Sequence, residues 1–240
     1  MDFEAFRPFV VQASLTRLAE AQRSCYDPGL RADVEKRLHP DPSNPLEQSL
    51  HDDLSGFLKV LDPLDTSTGG GTASAVAGAM AAALVAMVAR LSKSNPAVAG
   101  LPSYDEIASW GTDLSADLMA GSREDSEAFE AVRTALRRPK QTEGEQLARR
   151  DAVQVAWTRA ASVPLRNAEL CARVLGLARA LDGRSNPGAA SDLDCAVYLA
   201  RAGLLGCAAN VRINLPSIKD PDAAAALARR LAEVLTAAGK

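Results

Sequence analysis

The chain has 240 residues, of which 47% are hydrophobic and only 4% aromatic, and its formal net charge at pH 7 is −3. A weakly acidic chain without a long basic block argues against a nucleic-acid-binding surface. A core that is poor in aromatic residues must be built from Ala, Leu and Val, which favours closely packed helices.

The cysteines and histidines indicate the cellular compartment of the protein and whether it binds a transition metal. The N-terminus lacks the basic and apolar parts of a secretory signal, so we expect reduced, mostly buried thiols in a cytoplasmic protein. The two histidines form no cluster with cysteines, and a tightly held transition metal is therefore not expected. The four cysteines show no paired motif spacing: Cys25, Cys171, Cys195 and Cys207.

Strand signals are almost absent, and the first third of the chain reads as helices and loops. Residues 3–21 form an amphipathic pattern, residues 25–45 favour a loop with one short helix, and residues 46–61 favour another helix. We predict an N-terminal helical extension over residues 1–45 and one helical domain over residues 46–240.

Three glycines, Gly69, Gly70 and Gly71, precede a run of small residues without charge, Ala73 to Ala89. Bare backbone N–H groups ahead of a helix favour an anion or a carbonyl oxygen, and Thr72 is a candidate N-cap. The run is either a membrane span or the buried central helix of a helical core. It is short for the roughly 20 residues that a bilayer needs, so we predict the central helix.

The segment from Tyr104 to Arg138 predicts a long helix with one interruption in its apolar stripe. Asp125 lies in that interruption, where an unpaired charge is costly to bury. Either it forms a structural ion pair or restarts the helix after a break at Gly121–Ser122, or it is a functional carboxylate. The stripe consists of Ile107, Trp110, Leu114, Leu118, Gly121, Phe129, Val132 and Leu136.

Three further helices follow. The first covers Glu143 to Leu181, with a kink expected at Pro164. The next is capped by Ser191 or Asp192 and carries Asn210 and Asn214 towards its end. These two amides need buried partners or a ligand, or they tie down the helix end. Residues 222–238 form the last amphipathic pattern.

Six blocks in order give the chain a specific resemblance. They are GGGTASAVAGAMAAALVAMVARLS, DSEAFEAV, RPKQTEGEQLAR, VPLRNAELC, SDLDCA and NVRINL. The chain resembles the cyclodeaminase/cyclohydrolase family, which comprises the C-terminal domain of formiminotransferase-cyclodeaminase and free-standing relatives, including methenyltetrahydrofolate cyclohydrolases. The resemblance covers residues from about 46 to the C-terminus.

The resemblance implies an all-α domain that forms a homodimer, with a folate site near the glycine turn and the subunit interface. It also implies that Asp125, the first residue of the D-x-x-A-F block, is catalytic. This agrees with the position of Asp125 in the apolar stripe. The predicted substrate-binding residues are Gly69, Gly70, Gly71, Thr72, Lys140, Arg149, Asp192, Asn210 and Asn214.

The implied activity is a folate-dependent one-carbon reaction, either formiminotetrahydrofolate cyclodeamination or methenyltetrahydrofolate cyclohydrolysis. One carboxyl with a raised pKa suffices as the acid/base group, and we expect no cofactor beyond the tetrahydrofolate substrate. Lys140, Arg149 and Arg150 suit the carboxylates of a glutamate tail, although such cations are also common on solvated helix faces. A non-catalytic folate- or partner-binding protein of the same fold is the alternative, because Thr66 to Thr68 replace a Pro-x-Pro typical of the family.

Overall fold

The computed structural model describes residues 68–93 and 102–239. The helices are α1 (Gly70–Ser92), α2 (Tyr104–Arg137), α3 (Glu143–Leu181), α4 (Ala190–Asn214) and α5 (Pro221–Gly239), with short 3₁₀ turns at Pro187–Ala189 and Leu215–Ser217. No strand occurs within the described residues, which confirms the all-α prediction. The elements predicted before residue 68 lie outside the described residues.

Helices α1 to α4 run antiparallel to their neighbours. Along α2 and α3, Arg149 contacts the carbonyl of Leu136, and further from the connecting loop Asn167 contacts the carbonyl of Gly121. On α1 and α4, Gly70 lies beside Asn210, and Gly78 lies beside Gly203. This pairing places the start of α1 next to the middle of α2 and the end of α4.

Small residues allow α1 and α4 to approach within backbone contact. A Cβ atom added at Gly203 would lie 2.8 Å from the Ser74 carbonyl oxygen and 3.1 Å from the Gly78 nitrogen. Only glycine fits there without moving the backbone. The core between the helices consists mainly of Ala, Val and Leu, as the composition predicted.

The predicted central helix is buried around much of its circumference but not all of it. Ala75, Ala79, Ala82 and Ala89 of α1 are buried in the core, but Met80 is about half exposed. By length and composition, Gly70–Ser92 is the one helix among the described residues that is apolar enough to cross a membrane, and 56% of its most apolar window is buried. Within residues 68–93 and 102–239, Met80 and Ala83 thus mark an exposed apolar face of α1.

Most residues of the stripe predicted on α2 are buried, but three of them are exposed. Trp110, Phe129 and Leu136 are each more than 40% exposed. Gly111, Ala128 and Ala135 occupy the buried positions instead, because small residues allow the neighbouring helices to pack closely. Helix α2 is continuous through Gly121–Ser122, so the alternative of a helix that restarts at Asp125 is wrong.

The predicted bounds of α3 are confirmed, and Pro164 lies inside the helix. Proline has no N–H to donate to the carbonyl four residues earlier, here that of Ala160. The Asn214 amide Nδ2 at the end of α4 donates to this carbonyl oxygen at 2.7 Å. Asn214 therefore ties α4 to α3 at the point where the proline interrupts the helical hydrogen bonds.

Two predicted helix caps are corrected by the structure. The N-cap of α1 is Gly69, and Thr72 lies within the first turn with its hydroxyl directed to another helix. Helix α4 begins at Ala190 after the 3₁₀ turn Pro187–Ala189, and its N-cap is Ala189 rather than Ser191 or Asp192. The preceding 3₁₀ turn already orients the chain for α4, so no side-chain cap is made.

Candidate functional site

The Asp125 carboxylate lies against the first turn of α1. A Cβ atom added at Gly71 would lie 2.5 Å from Asp125 Oδ2 and 2.6 Å from Oδ1, so the carboxylate occupies the space that a side chain at residue 71 would fill. Asp125 is partly buried, and Gly71 is buried. The antiparallel pairing of α1 with α2 thus brings the predicted catalytic residue onto the glycine turn.

Thr72 binds this carboxylate. Its Oγ1 hydroxyl donates to Asp125 Oδ2 at 3.1 Å. Burial raises the pKa of Asp125 above its ordinary value, and hydrogen bonds from the Thr72 hydroxyl and backbone oppose that rise only in part. A carboxyl whose pKa is raised exchanges protons more readily near neutral pH, as an acid/base group must.

Asn210 of α4 completes one side of this group. Its Nδ2 atom lies 3.5 Å from the position of a Cβ atom at Gly70, and it donates to the Gly206 carbonyl one turn earlier at 3.3 Å. Gly69 and Gly70 are both exposed. The structure therefore brings together Asp125, the three glycines, Thr72 and Asn210.

Three residues near Asp125 were missed by the sequence analysis. Ser126 Oγ lies 3.2 Å from Thr72 Oγ1, the Cys207 thiol of α4 interacts electrostatically with Asp125, and Asn167 of α3 donates to the carbonyl of Gly121 one turn before Asp125. Their roles depend on which helices pair, and a single sequence gives no signal for that. The position of Ser126 directly after Asp125 was the one available hint.

Lys140 and Arg149 lie together at a second place. They line a cavity of about 340 Å³ with Arg150 and Lys219, and no Asp or Glu of the described chain lines it. Arg149 Nε and Nη2 both donate to the Leu136 carbonyl at the end of α2. Leu136 is eleven residues beyond Asp125, about 16 Å along the helix, so this basic cavity is separate from the carboxylate.

Two predicted substrate-binding residues lie elsewhere. Asp192 is in the first turn of α4, eighteen residues before Asn210, which is about 27 Å along the helix. Asn214 is close to Asn210 in sequence, but its amide is engaged with the Ala160 carbonyl. Within one subunit, Asp192 is therefore not part of the Asp125 group, and the predicted substrate contacts of both residues stay predictions.

Within the described ranges, no group of three or more His, Cys, Asp or Glu side chains is arranged to hold a metal ion. Cys171 and Cys207 are buried free thiols, whereas Cys195 is exposed. The expectation of mostly buried thiols thus holds for two of the three described cysteines.

Comparison with known proteins identifies relatives of the chain. A methenyltetrahydrofolate cyclohydrolase of Methylorubrum extorquens is 33% identical over 187 residues, covering 78% of this chain and 90% of that protein. The formimidoyltransferase-cyclodeaminase of Mus musculus is 29% identical over 217 residues, covering 88% of this chain. The present chain spans only 38% of the mouse protein's length.

The fold has a solved counterpart. The crystal structure of a formiminotetrahydrofolate cyclodeaminase from Thermotoga maritima matches with a TM-score of 0.69 at 28% identity, covering 78% of this chain and 89% of that one. A family model described as formiminotransferase-cyclodeaminase matches residues 53–233. The chain therefore belongs to the formiminotransferase-cyclodeaminase family of folate-dependent one-carbon proteins.

Proposed function

We propose that this protein is a folate-dependent one-carbon enzyme, a methenyltetrahydrofolate cyclohydrolase or a formiminotetrahydrofolate cyclodeaminase, with Asp125 as its acid/base group. One observation carries the proposal: a partly buried carboxylate of raised pKa lies on the glycine turn at the start of α1. Burial of a carboxylate without a cationic partner costs free energy. A catalytic role explains why the protein carries such a group at this position.

The chemistry requires one proton carrier. In cyclohydrolysis, water attacks the methenyl carbon, and the carboxylate takes a proton from that water. The resulting hydroxyl intermediate opens when N5 gains a proton and the hydroxyl loses one, which gives 10-formyltetrahydrofolate and releases one proton overall. A single carboxyl that gains and loses a proton in each turnover serves these steps, and general acid–base catalysis of this kind contributes about 10²- to 10⁴-fold in rate.

Cyclodeamination places the same demand on Asp125. N10 attacks the carbon of the protonated formimino group, and Asp125 passes the proton that N10 gives up to the leaving nitrogen, so that ammonia departs and the methenyl cation remains. The Thermotoga maritima structure, named as a cyclodeaminase, supports this second reaction. We place cyclohydrolysis first because the 33% identical cyclohydrolase matches over 90% of its own length.

Positioning falls to the groups around the carboxylate. The exposed backbone of Gly69 and Gly70 and the Asn210 amide suit the polar edge of a pterin, since the two glycines directly precede Gly71, which lies against Asp125, and Asn210 lies beside Gly70. The cavity with Lys140, Arg149, Arg150 and Lys219 suits carboxylates of the glutamate tail. Its separation from Asp125 by about 16 Å along α2 requires the tail to extend away from the reacting carbon.

We further propose that the protein acts as a homodimer through the outer face of α1 and α4. Cys195, Tyr198, Ala202, Leu205 and Ala209 of α4 are all exposed at spacings of three and four residues. This spacing is typical of a helix that packs on another helix. Met80 and Ala83 of α1 are exposed as well, so the helix that packs beside α4 also presents apolar side chains to solvent.

Both reactions exchange bonds at one carbon with the help of proton transfer and without change of oxidation state, so we propose that no cofactor beyond the tetrahydrofolate substrate is needed. We also propose a cytoplasmic location, where reduced folates and free thiols persist.

The proposal is tested by giving the protein each folate separately and following the methenyl absorbance. A cyclohydrolase makes the absorbance of methenyltetrahydrofolate decay faster than the uncatalysed rate, whereas a cyclodeaminase makes absorbance appear from formiminotetrahydrofolate together with ammonia. Binding of either folate without turnover of any would overturn the enzymatic proposal in favour of a non-catalytic folate-binding protein.

A further inference from the structure

Three side chains from two helices form a continuous hydrogen-bonded chain at the candidate site. Thr72 Oγ1 lies 3.1 Å from Asp125 Oδ2 and 3.2 Å from Ser126 Oγ, and Ser126 Oγ lies 3.5 Å from the Ser122 carbonyl oxygen. Thr72 is buried and Ser126 is partly buried. The hydroxyl of Thr72 therefore stands between the carboxyl group and the hydroxyl of Ser126.

The number of hydrogens decides how this chain is arranged when Asp125 is ionised. Each hydroxyl has one hydrogen to donate and two lone pairs to accept. A carboxylate only accepts, so Thr72 must donate to Asp125, and Thr72 in turn accepts from Ser126. Both hydroxyl hydrogens then point towards the negative charge.

The chain has a second arrangement when Asp125 carries a proton. The carboxylic acid then donates to Thr72 Oγ1, Thr72 donates to Ser126 Oγ, and Ser126 donates to the Ser122 carbonyl. Every hydrogen keeps an acceptor in both arrangements, and the change needs only rotation of two O–H bonds. No proton moves beyond Asp125 itself.

We propose that Thr72 and Ser126 are positioning residues for Asp125, forming a reversible hydroxyl chain that satisfies the carboxyl group in both its charged and its protonated state. An acid/base group must pass through both states in each turnover. A buried donor without an acceptor in one state would raise the free energy of that state and favour the other. The chain keeps the two states close in free energy.

Other groups near Asp125 do not replace this chain. Helix α1 has no charged residue between Gly70 and Ala89. From α4 the neighbouring titratable group is the Cys207 thiol, which is hydrogen-bonded to Cys171 of α3, and its pKa is raised so that it stays uncharged. On α2 itself, the adjacent Glu124 pairs with Arg166 of α3.

The test measures the pKa of Asp125 directly, without substrate, from the pH dependence of its carboxyl carbon-13 shift in protein labelled at aspartate. The Asp125→Asn variant identifies the signal by its loss. This inference rests on the proposed function for its purpose, but the measurement does not depend on turnover. A failed hydroxyl chain and a failed enzymatic proposal therefore give different results.

The two hydroxyls have opposite expected effects. Thr72→Val removes the donor to the carboxylate and should raise the pKa of Asp125 by about one pH unit. Ser126→Ala leaves the Thr72 hydrogen without an acceptor in the protonated state, so the pKa should fall by about half a pH unit.

Two variants serve as controls. Thr72→Ser keeps the hydroxyl and should restore the wild-type pKa. Ser122→Ala removes a hydroxyl that donates to the Met119 carbonyl, and it keeps the backbone carbonyl that ends the chain, so the pKa should not change. An unchanged or raised pKa in Ser126→Ala, or a fall in Thr72→Val, would overturn the proposal.

Discussion

Asp125 and Gly71 fit together so closely that the carboxylate fills the place of the missing side chain. A Cβ atom at residue 71 would lie 2.5 Å from Oδ2 and 2.8 Å from Cγ of Asp125. Contacts this short force the carboxyl group to move. The neighbouring helix therefore requires glycine at position 71.

Gly71→Ala should therefore displace Asp125 and lower turnover by about a hundredfold, the scale set by misplacement of a catalytic group. Gly176→Ala is a matched control, because a Cβ atom there meets no atom within 4 Å. Gly176 is exposed to solvent and lies within α3, away from both ends of the helix. The control should retain wild-type turnover and gain up to about 1 kcal/mol of stability. Equal turnover in both variants would contradict the fit of Asp125 against Gly71.

The raised pKa of Asp125 also predicts a dependence of stability on pH. Because burial disfavours the carboxylate, the folded protein binds the proton more tightly than the unfolded chain, and stability falls as pH rises from the unfolded pKa through the folded one. Asp125→Asn should thus be more stable than wild type at neutral pH. The difference should vanish below the unfolded pKa of about 3.9.

Urea unfolding at a series of pH values measures this difference. Glu127→Gln is a suitable control, since Glu127 is exposed and paired with Arg159 on the surface. It should change stability by less than about 1 kcal/mol at any pH. A less stable Asp125→Asn at neutral pH would contradict a raised pKa.

Asn214 and Pro164 should be coupled in stability. Asn214→Ala leaves the buried Ala160 carbonyl without its donor, which should cost about 1–3 kcal/mol. In a Pro164→Ala background the backbone N–H of residue 164 supplies the missing hydrogen bond, and the cost of Asn214→Ala should fall by about 1 kcal/mol. A double-mutant cycle measured by urea unfolding checks this, and additive effects would show that the two residues act independently.

The proposed homodimer predicts that substitutions of two exposed leucines have different effects on the oligomeric state. Leu205→Glu on the α4 face should dissociate the protein into monomers, because a buried unpaired charge is costly in an interface. Leu147→Glu, at a similarly exposed position near the start of α3, should leave the oligomer intact. Light scattering over a range of concentrations measures both, and a wild-type monomer at every concentration would contradict the proposal.

The sequence predicted the helices well where end signals and periodicity agreed. Helix α3 has the predicted bounds, and a capping box between Thr142 and Glu145 begins it. The members of the α2 stripe were harder to predict, because Gly and Ala residues make the contacts that larger apolar residues usually make. Periodicity of large residues therefore selected Trp110 and Phe129, which are exposed.

The site was predictable in part. Asp125 stood out because a carboxylate interrupted an apolar stripe, and the glycines stood out by composition. The pairing of α1 with α2 and α4 decides the other positions. It brings Thr72 to Asp125 and leaves Asp192 far from Asp125. Such pairing depends on shape across helices, which periodicity along one helix does not contain.

The central claim is that Asp125 carries the proton in a folate-dependent reaction, and turnover of Asp125→Asn tests it most directly. The amide keeps the shape of the side chain and removes the titrating group, so folding and folate binding should persist. With the folate that wild type converts, kcat should fall by at least about a hundredfold. A kcat near that of wild type, in a variant shown to be folded, would contradict the claim and leave Asp125 with a purely structural role.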